Sequence, residues 1–392
     1  MKVVNNRTLK VILSGWLLGL VSGQALAMPQ AAAAATDSEK AIVVDTAKTE
    51  TLPQIMDRLR TQRLIYVGET HTSLSDHLLQ LQVLSSVRDQ GGEVVLGVEW
   101  FQRPYQAVLD RYIAGEIGEA QLLRESDYFR RWGFDYRLYR GVMRYAREHG
   151  IRVLALNASR DLTQIIMREG LEGLSEEQRA RLPAEYDFDD PVYTEQLKQV
   201  MGLHENRDSD DPVAFRRFLE VQLTWDETMA ETAADYLRAN PDVRMVVMAG
   251  KGHTHASAIP KRVERRTGIA GVSIASYQPG APFNQADFLV LQDEQQLPPQ
   301  GLIGVGLDER DGGVFVGSFS ANTLAEDAGV KIGDRILALD DDAVEDYADI
   351  KLGLMDRKPG DTVRLLLLRK GFFSSEHSVR VEVPLVGRAS PH

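Results

Sequence analysis

Short apolar runs alternate with longer helical patterns between residues 63 and 292, and this alternation constrains the fold more than any other feature. The runs are rich in β-branched residues and lie at 63–68, 94–99, 151–157, 244–249, 271–275 and 287–292. The helical patterns between them lie at 73–89, 103–148, 160–182, 192–203 and 213–238. Strands that alternate with helices along a chain form parallel sheets. The sequence therefore predicts an α/β fold, with a mostly parallel sheet and helices on both of its faces.

Two connections in this pattern are much longer than one helix. The crossovers at 101–150 and 158–243 have room for several helices each. One helix is enough to connect two parallel strands, so the additional helices of these crossovers must pack elsewhere. We expect an inserted helical cap over one edge of the sheet.

The N-terminal residues have the composition of a secretory signal peptide. Lys2, Arg7 and Lys10 form a basic segment, an apolar core follows at 11–21, and the Ala-Leu-Ala sequence at 25–27 fits a cleavage site. The apolar core is shorter than a membrane-spanning helix requires. The pattern predicts a signal peptide that is cleaved near Ala27.

A cleaved signal peptide at 1–27, followed by a flexible leader at 28–50, predicts a protein that is periplasmic or secreted. The chain contains no cysteine, so we expect neither disulfides nor a lipid-modified cysteine after the signal. Its formal net charge is −12, which argues against nucleic acid as a partner.

Polar side chains follow four of the predicted strands. They are Glu69 and His71, then Glu99, then Asn157, and finally His253 and His255. Ligands of parallel sheets bind beyond the carboxyl ends of the strands. Two of these strands end in the same way, with Gly68-x-x-His71 and Gly250-x-x-His253. We therefore expect the two Gly-x-x-His loops to face one pocket.

Two chemical interpretations of these residues remain open. His71, Glu99 and His253 suit a divalent metal such as zinc, with Glu69 as a general base for a bound water molecule. Alternatively, the histidines are hydrogen-bonded loop residues that join neighbouring loops. No dense metal-binding signature such as H-E-x-x-H decides between them.

Several motifs occur together in an order that resembles the ChaN family. They are Gly68-Glu-Thr-His71, Gly97-Val-Glu-Trp100, Asn157, VQLTWDETMA at 221–230, and Gly250-Lys-Gly-His253. The resemblance spans about 60–275 and points to the haem-binding, iron-linked proteins of a superfamily that also includes Tiki-type proteases and erythromycin esterases. It implies haem as the cofactor and a role in iron uptake. Tiki-like members, in contrast, are similar in using the two loops and the glutamate as a metal site.

The resemblance to ChaN also implies where haem would bind. The aromatic and arginine-rich sequence at 127–145 could supply a flat slot, with Tyr136 or Tyr139 as the axial ligand. The haem-binding residues would further include Trp132, Arg137, Asn157 and Asp226. Asp226 would orient His71 or His253. An aromatic stripe at helical spacing is also the pattern of an ordinary hydrophobic core. The resemblance to the ChaN family further implies a homodimer that pairs two haems.

After a polar, proline-containing linker at 293–300, short predicted strands and glycine turns replace the alternating pattern of strands and long helices. Residues 301–388 resemble a PDZ domain of the bacterial periplasmic-protease type. We expect a brief helix near 322–328 and a second helix at 346–357 in this domain. The loop Leu302-Ile303-Gly304-Val305 would receive the carboxylate of a peptide C-terminus. A β-domain used only for dimerisation is the alternative. With the leader before it and the linker after it, the α/β domain is expected at 51–292.

The resemblances lead to three functional hypotheses. The first is a periplasmic haem- or iron-binding protein of the ChaN type, whose PDZ domain recruits a partner protein. The second is a metal-dependent hydrolase or protease that uses both Gly-x-x-His loops and Glu99. The third is a non-catalytic scaffold in which both domains bind protein. The sequence leaves open whether the chain is an enzyme.

Overall fold

The structure is a computed structural model that describes residues 44–202, 211–281, 283–370 and 375–387. The predicted signal peptide at 1–27 and most of the predicted leader lie outside the described residues. Residues Thr51–Arg388 form one compact unit. Within the described ranges, no helix is both long enough and apolar enough to cross a membrane.

A six-stranded parallel sheet forms the centre of the α/β domain, in the order β3-β2-β4-β1-β5-β6. The predicted α/β fold is therefore confirmed, and the sheet is parallel throughout. Its strands are β1 (Leu64–Glu69), β2 (Val94–Gln102), β3 (Arg152–Asn157), β4 (Arg244–Gly250), β5 (Val272–Ser276) and β6 (Phe288–Val290).

Twelve α-helices of the described residues belong to the same domain. They are α1 (Leu52–Arg58), α2 (Leu74–Asp89), α3 (Gln106–Ile113), α4 (Glu119–Glu125), α5 (Tyr128–Arg131), α6 (Tyr136–Glu148), α7 (Arg160–Glu169), α8 (Glu176–Arg179), α9 (Pro191–Gly202), α10 (Pro212–Ala239), α11 (Lys251–Thr254) and α12 (Ile259–Thr267). The long pattern at 103–148 is thus divided into several helices. Gly115 and Gly133, with φ of 79° and 84°, lie at two of the breaks, where a left-handed backbone ends helical hydrogen bonding.

Successive residues of each central strand are buried on opposite faces of the sheet. Ile65 and Val67 pack into one core with α2 and α6, while Leu64 and Tyr66 pack into a second core with α10 and α12. All six residues of β1 are buried. This is why the strands are continuous apolar runs in the sequence, as expected for a parallel sheet covered on both faces.

The two long crossovers are used differently. Helices α3 to α6 of the first crossover contribute to the main core on one face of the sheet, so they are a structural layer of the domain. Helices α7 and α9 of the second crossover form two smaller cores with the N-terminal half of α10, whereas α8 has no buried residue. Only the second crossover therefore resembles the expected separate cap.

The C-terminal domain is an antiparallel sheet with one helix. Its strands are β7 (Val305–Arg310), β8 (Gly313–Phe319), β9 (Arg335–Leu339), β10 (Asp342–Ala343), β11 (Thr362–Lys370) and β12 (Glu376–Pro384), and the helix is α13 (Tyr347–Leu354). The strands follow the order β12-β11-β9-β8-β7, with β10 paired to β9. The expected helix near 322–328 was wrong. Consecutive hydrogen-bonded turns replace it and end at Gly329, whose φ is 96°.

The polar segment at 293–300 has no helix or strand, yet it is docked on the α/β domain. Ser75 Oγ donates to the carbonyl of Asp293 at 3.0 Å, and Arg137 Nη1 donates to the carbonyl of Pro298 at 3.0 Å. Leu297 packs against the main core. The segment therefore follows α2 and α6 and leads directly into the C-terminal domain.

The two domains are joined by ion pairs and by apolar contacts of α13 and the residue after it. Arg130 Nη2 lies 2.5 Å from Glu309 Oε1, and Arg140 Nη1 lies 2.5 Å from Asp356 Oδ1. Met355, just after α13, is buried in the main core of the α/β domain. The C-terminal domain is thus fixed to the face formed by helices α4 to α6.

Candidate functional site

A cavity of about 500 Å³ lies at the carboxyl end of the parallel sheet. Its walls come from the loop after β1, the ends of β2 and β3, the turn after α5, and helices α5, α7, α10 and α11. It is lined by His71, Glu99, Trp100, Gln102, Arg131, Trp132, Phe134, Asn157, Arg160, Thr163, Gln164, Met167, Val221, Gln222, Trp225 and His253. The volume lies within the range of small-molecule and cofactor sites.

His71 enters the cavity from the loop after β1. Its Nδ1 lies 2.8 Å from Glu69 Oε1, which leaves Nε2 as the nitrogen that can meet a ligand. The rings of Trp132 and Phe134 pack on the imidazole, with centroid distances of 4.9 Å and 4.6 Å. The ring is therefore held in one orientation by a carboxylate and two aromatic side chains.

Glu69 is buried behind His71 and does not line the cavity. Tyr139 Oη donates to Glu69 Oε1 at 3.2 Å, and His77 Nδ1 lies 3.1 Å from Glu69 Oε2. Both carboxylate oxygens thus face side chains of the protein, so this position does not suit the expected general base. Burial would lower the pKa of His71, but the hydrogen bond to Glu69 and the charge of Glu99 raise it overall.

His253 lies opposite on α11 and is held between two carboxylates. Its Nδ1 lies 2.6 Å from Asp226 Oδ1, and its Nε2 lies 3.4 Å from Glu99 Oε1. Tyr193 Oη donates to Asp226 Oδ2 at 2.6 Å. Burial alone would lower the pKa of His253, but the negative charges of Asp226 and Glu99 raise it to about 9. His253 is therefore an imidazolium at neutral pH.

Gly250 is the point at which the two loops touch. Its amide donates to Glu99 Oε2 at 2.7 Å, which fixes Glu99 between the histidines. A Cβ atom on Gly250 would lie 3.1 Å from Cε1 of His71. The glycine thus allows the loop of His253 to pack directly against His71, and neighbouring strands β1 and β4 bring the two loops to this point.

The other cavity walls are mainly apolar, with cationic and neutral polar side chains among them. The apolar side chains are those of Trp100, Trp132, Phe134, Met167, Val221 and Trp225, and the cationic ones are Arg131 and Arg160. The buried indole nitrogen of Trp100 has no hydrogen-bond partner among the described residues. The cavity therefore suits a largely apolar ligand that also carries anionic groups.

A second recess lies in the C-terminal domain, between β7 and α13. It has a volume of about 520 Å³ and is lined by Leu302, Ile303, Gly304, Val305, Gly306, Leu307, Glu309, Ser320, Tyr347, Ile350, Lys351 and Leu354. Arg130 of the α/β domain also lines it. Gly304 has φ of 79°, a conformation that favours glycine, so this loop depends on the residue. We call this recess the peptide groove.

Comparison with known protein families identifies the family of the α/β domain and that of the C-terminal domain. A family model described as "Haem-binding uptake, Tiki superfamily, ChaN" matches residues 55–263, more than half of the chain. The chain belongs to this family. A PDZ model matches residues 301–383, so the C-terminal domain is a PDZ domain.

Individual relatives are distant. A solved structure of Campylobacter jejuni ChaN, which shows cofacial heme binding in that protein, is 15% identical and has a TM-score of 0.50, covering 61% of this chain and 91% of that one. A chloroplastic RETICULATA-RELATED 5 protein of Arabidopsis thaliana is 23% identical over 133 residues, which is 32% of this chain. This chain spans only 18% of that plant protein's length. The PDZ domain of a Vibrio cholerae carboxy-terminal protease is 26% identical, with a TM-score of 0.19, and covers 23% of this chain and 98% of that one.

The structure places the expected axial ligands of the ChaN domain away from its cavity. Tyr136 is 1% exposed and packs edge-on against Tyr128 at 5.3 Å, with its hydroxyl unpaired inside the core. Tyr139 is 0% exposed and donates to Glu69. Neither side chain lines the cavity. The aromatic stripe of α6 is thus a core stripe, because its apolar face is the one that covers the sheet.

The other expected haem contacts of the ChaN domain divide into two groups. Trp132 and Asn157 lie in the cavity wall, and Asp226 lies behind His253. Arg137, in contrast, is directed away from the cavity, because its guanidinium binds Asp135 and the carbonyl of Pro298.

Helix α7 supplies a wall of the cavity that the sequence did not predict. Arg160, Thr163, Gln164 and Met167 all lie on this helix and line the cavity. Their spacing of three to four residues places them on one helical face. That face was polar apart from Met167, so it was indistinguishable from a solvent-facing one.

The expected metal ligands do meet at this site. His71, Glu99 and His253 all line the cavity, and each histidine has Nδ1 against a carboxylate. Among the described residues, no group of three or more histidine and acidic side chains is arranged so that it could hold a metal ion. Metal binding therefore stays a prediction.

Proposed function

We propose that the protein binds haem in the cavity at the carboxyl end of the sheet. The observation that carries this proposal is His71, whose Nδ1 is held by Glu69 while Trp132 and Phe134 pack on its ring. A histidine fixed in this way is a stronger ligand, because the carboxylate increases the basicity of the imidazole. Haem needs such a ligand, a flat apolar slot and cations for its propionates.

The remaining walls fit these requirements. Trp100, Trp132 and Trp225 supply aromatic surface, and Arg131 and Arg160 would pair with the propionates. His253 adds a fixed positive charge on the opposite wall. Haem would supply iron for transfer or redox chemistry, and the residues of this chain would bind it, orient it and limit its contact with water.

An absorption titration of haemin into the purified full chain tests the proposal. We expect a saturable Soret shift in the wild-type protein and affinity weaker by about tenfold or more in His71→Ala, because a metal ligand is lost. Arg160→Gln should weaken binding less, since one propionate contact is exposed to solvent. A featureless, non-saturating titration of the wild type would overturn the proposal.

Two control variants separate the ligand from general effects. His149→Ala removes an exposed histidine directly after α6 that stacks on Tyr145 and does not line the cavity. Tyr136→Phe removes a buried hydroxyl that has no hydrogen-bond partner in the part of the chain that the structure describes. Both variants should bind haemin as the wild type does. Loss of binding in Tyr136→Phe would instead favour the tyrosine ligand predicted from the sequence.

We further propose that the protein is exported to the periplasm, acts in iron acquisition and recruits a partner through its peptide groove. The signal-like sequence at 1–27 and the PDZ domain support these proposals. Cell fractionation should locate a mature chain that begins near Met28 in the periplasm.

A homodimer that pairs two haems would appear as a haem-dependent doubling of mass in light scattering.

A metal-dependent hydrolase is the second candidate. His71 and His253 lie on either side of Glu99, and each has Nδ1 beside a carboxylate. This favours the candidate, because metal-ligating histidines commonly have such partners. Zinc added to the metal-free chain should then bind at a fixed ratio and produce hydrolysis of a peptide substrate, and both should be lost in His71→Ala. Saturable haemin binding without zinc binding would leave the first candidate alone.

A further inference from the structure

A short stretch of chain touches both the cavity and the peptide groove. The 127–135 segment comprises α5 and the turn that follows it and begins at Asp127, a non-glycine residue with φ of 52°. Arg130 lines the peptide groove, whereas Arg131, Trp132 and Phe134 line the cavity. The two sites are therefore separated by one peptide bond along the chain.

On the groove side, Arg130 forms a two-point ion pair with Glu309 of β7. Arg130 Nε lies 3.0 Å from Oε2, and Nη2 lies 2.5 Å from Oε1. Glu309 Oε1 also accepts from the amide of Tyr347, at the N-terminus of α13, at 2.9 Å. Glu309 thus ties together the strand and the helix that form the two walls of the groove, and attaches both to α5.

On the cavity side, Arg131 and Trp132 are held by several contacts. Arg131 Nη1 donates to Gln102 Oε1 at 3.1 Å, and the guanidinium lies over the Tyr105 ring. Trp132 packs edge-on against His71. Asp127 joins the two sides, since its carboxylate lies 3.1 Å from both Arg130 Nη1 and Arg131 Nε.

Peptides bind PDZ domains as an added strand between a strand and a helix. A peptide in the groove would therefore act on the relative positions of β7 and α13, which Glu309 joins. Any change in the Glu309 contacts acts on Arg130, and the residues that follow it in the segment include Trp132 and Phe134, which pack on His71. Gly133, with φ of 84°, gives the chain a point at which this wall can turn.

We propose that the 127–135 segment couples the two sites, so that a peptide in the groove changes the affinity of the cavity for its ligand. This inference rests on the proposed binding of haem and of a peptide. Coupling of binding is reciprocal, so ligand in the cavity changes peptide affinity by the same factor.

The first test uses Glu309→Gln and its matched control Asp356→Asn in the full chain. Both variants neutralise a carboxylate that pairs with an arginine of the α/β domain, but Arg140, the partner of Asp356, belongs to α6 and not to the segment. We expect the haemin dissociation constant to change by roughly threefold or more in Glu309→Gln and to stay at the wild-type value in Asp356→Asn. Equal values in all three proteins, or equal changes in both variants, would overturn the coupling.

A second readout does not depend on haemin. The indole N–H signals of Trp100, Trp132 and Trp225 report on three positions of the cavity wall in NMR spectra. The Trp132 signal should shift in Glu309→Gln, whereas that of Trp225, on α10, should not. If wild-type haemin binding fails but the Trp132 shift occurs, the haem proposal is wrong, whereas the structural link between Glu309 and the cavity wall stands. An unshifted Trp132 signal overturns the coupling.

The third test adds a peptide selected against the full chain from a library of free C-termini. A saturating amount of this peptide should change the haemin dissociation constant of the wild type by roughly threefold or more, and that of Glu309→Gln by less. The same peptide with an amidated C-terminus is the control. Independent binding of peptide and haemin would contradict the coupling while leaving both binding proposals intact. Failure to select any peptide would overturn the peptide proposal and the coupling with it.

Discussion

At the residue scale, the two histidines of the cavity differ in what their nitrogens meet. Both nitrogens of His253 face carboxylates, whereas His71 has one carboxylate on Nδ1 and its second nitrogen free for a ligand. His253 is consequently a fixed cation that neutralises part of the charge of Asp226 and Glu99. His71 is therefore the better candidate for a ligand to iron.

The charge of His253 leads to a prediction about pH. Its pKa is raised from 6.5 to about 9, so its protonated form stabilises the folded state in full below pH 6.5. This stabilisation should be lost as the pH rises through about 9. Asp226→Asn should lower the pKa of His253 and flatten the decline in the free energy of unfolding over this pH range.

NMR titration of the His253 imidazole and urea unfolding at several pH values would measure both effects. Glu231→Gln is the control on the same helix, because Glu231 pairs with Arg103 instead. A His253 pKa near 6.5 in the wild type, or one that Asp226→Asn does not change, would contradict the prediction.

At the element scale, the site depends on how closely α11 approaches β1. Gly68 in β1 faces α11, and a Cβ atom at this position would lie 2.5 Å from Thr254 Oγ1 and 3.3 Å from the Cα atom of Lys251. The side chain of Thr254 can rotate, but the backbone at Lys251 cannot move without displacing His253. The glycine is therefore required by packing and not by its φ angle.

Gly68→Ala should destabilise the fold by about 1–3 kcal/mol, the usual cost of overpacking a core. Gly252→Ala, in α11 itself, is a matched control, because a Cβ atom there meets nothing within 4 Å. That variant should stay within about 0.5 kcal/mol of the wild type. Urea unfolding of both variants measures the difference, and equal stabilities would show that α11 can shift to accommodate the methyl group.

At the scale of the whole molecule, the PDZ domain and the ChaN domain are held together mainly through arginines of the ChaN domain and carboxylates of the PDZ domain. The hydrogen bond to Arg130 holds the pKa of Glu309 below its ordinary value of 4.5. The hydrogen bond to Arg140 likewise holds the pKa of Asp356 below 3.8. Both pairs are partly exposed, so each contributes modestly.

These lowered pKa values predict that the domains separate in acid. A carboxylate with a depressed pKa stabilises the folded arrangement above its ordinary pKa, and this contribution is lost as the pH falls through the folded-state value. The interface should therefore be intact above about pH 4.5 and should loosen as the pH falls below about 4. Small-angle X-ray scattering would detect this as an increase in the radius of gyration before the domains unfold.

The variant Glu309→Gln/Asp356→Asn provides the comparison. It should show a weaker interface at neutral pH and a smaller change on acidification than the wild type. If the double variant follows the wild-type pH profile, other contacts, such as the burial of Met355, control the docking of the domains.

The sequence by itself determined the class of fold and the approximate location of the site. Strands that are mainly apolar on both faces, separated by helical patterns, indicate a sheet that is covered on both faces. Ligand residues are then expected at the carboxyl ends of the strands. That argument correctly brought His71, Glu99, Asn157 and His253 to one end of the sheet. The PDZ domain was likewise identified from motifs in their proper order, because its loop glycines are conformationally required.

Only the tertiary structure decided which side chains reach the cavity. Tyr136 and Tyr139 have the side-chain chemistry of haem ligands, but their helix face covers the sheet and is buried in the core. Arg160 and Met167 form a cavity wall although their helix has no distinguishing pattern, because a helix face acquires its role from what it packs against. The contact of Arg130 with the peptide groove depends on the docking of two domains, which no local sequence pattern encodes.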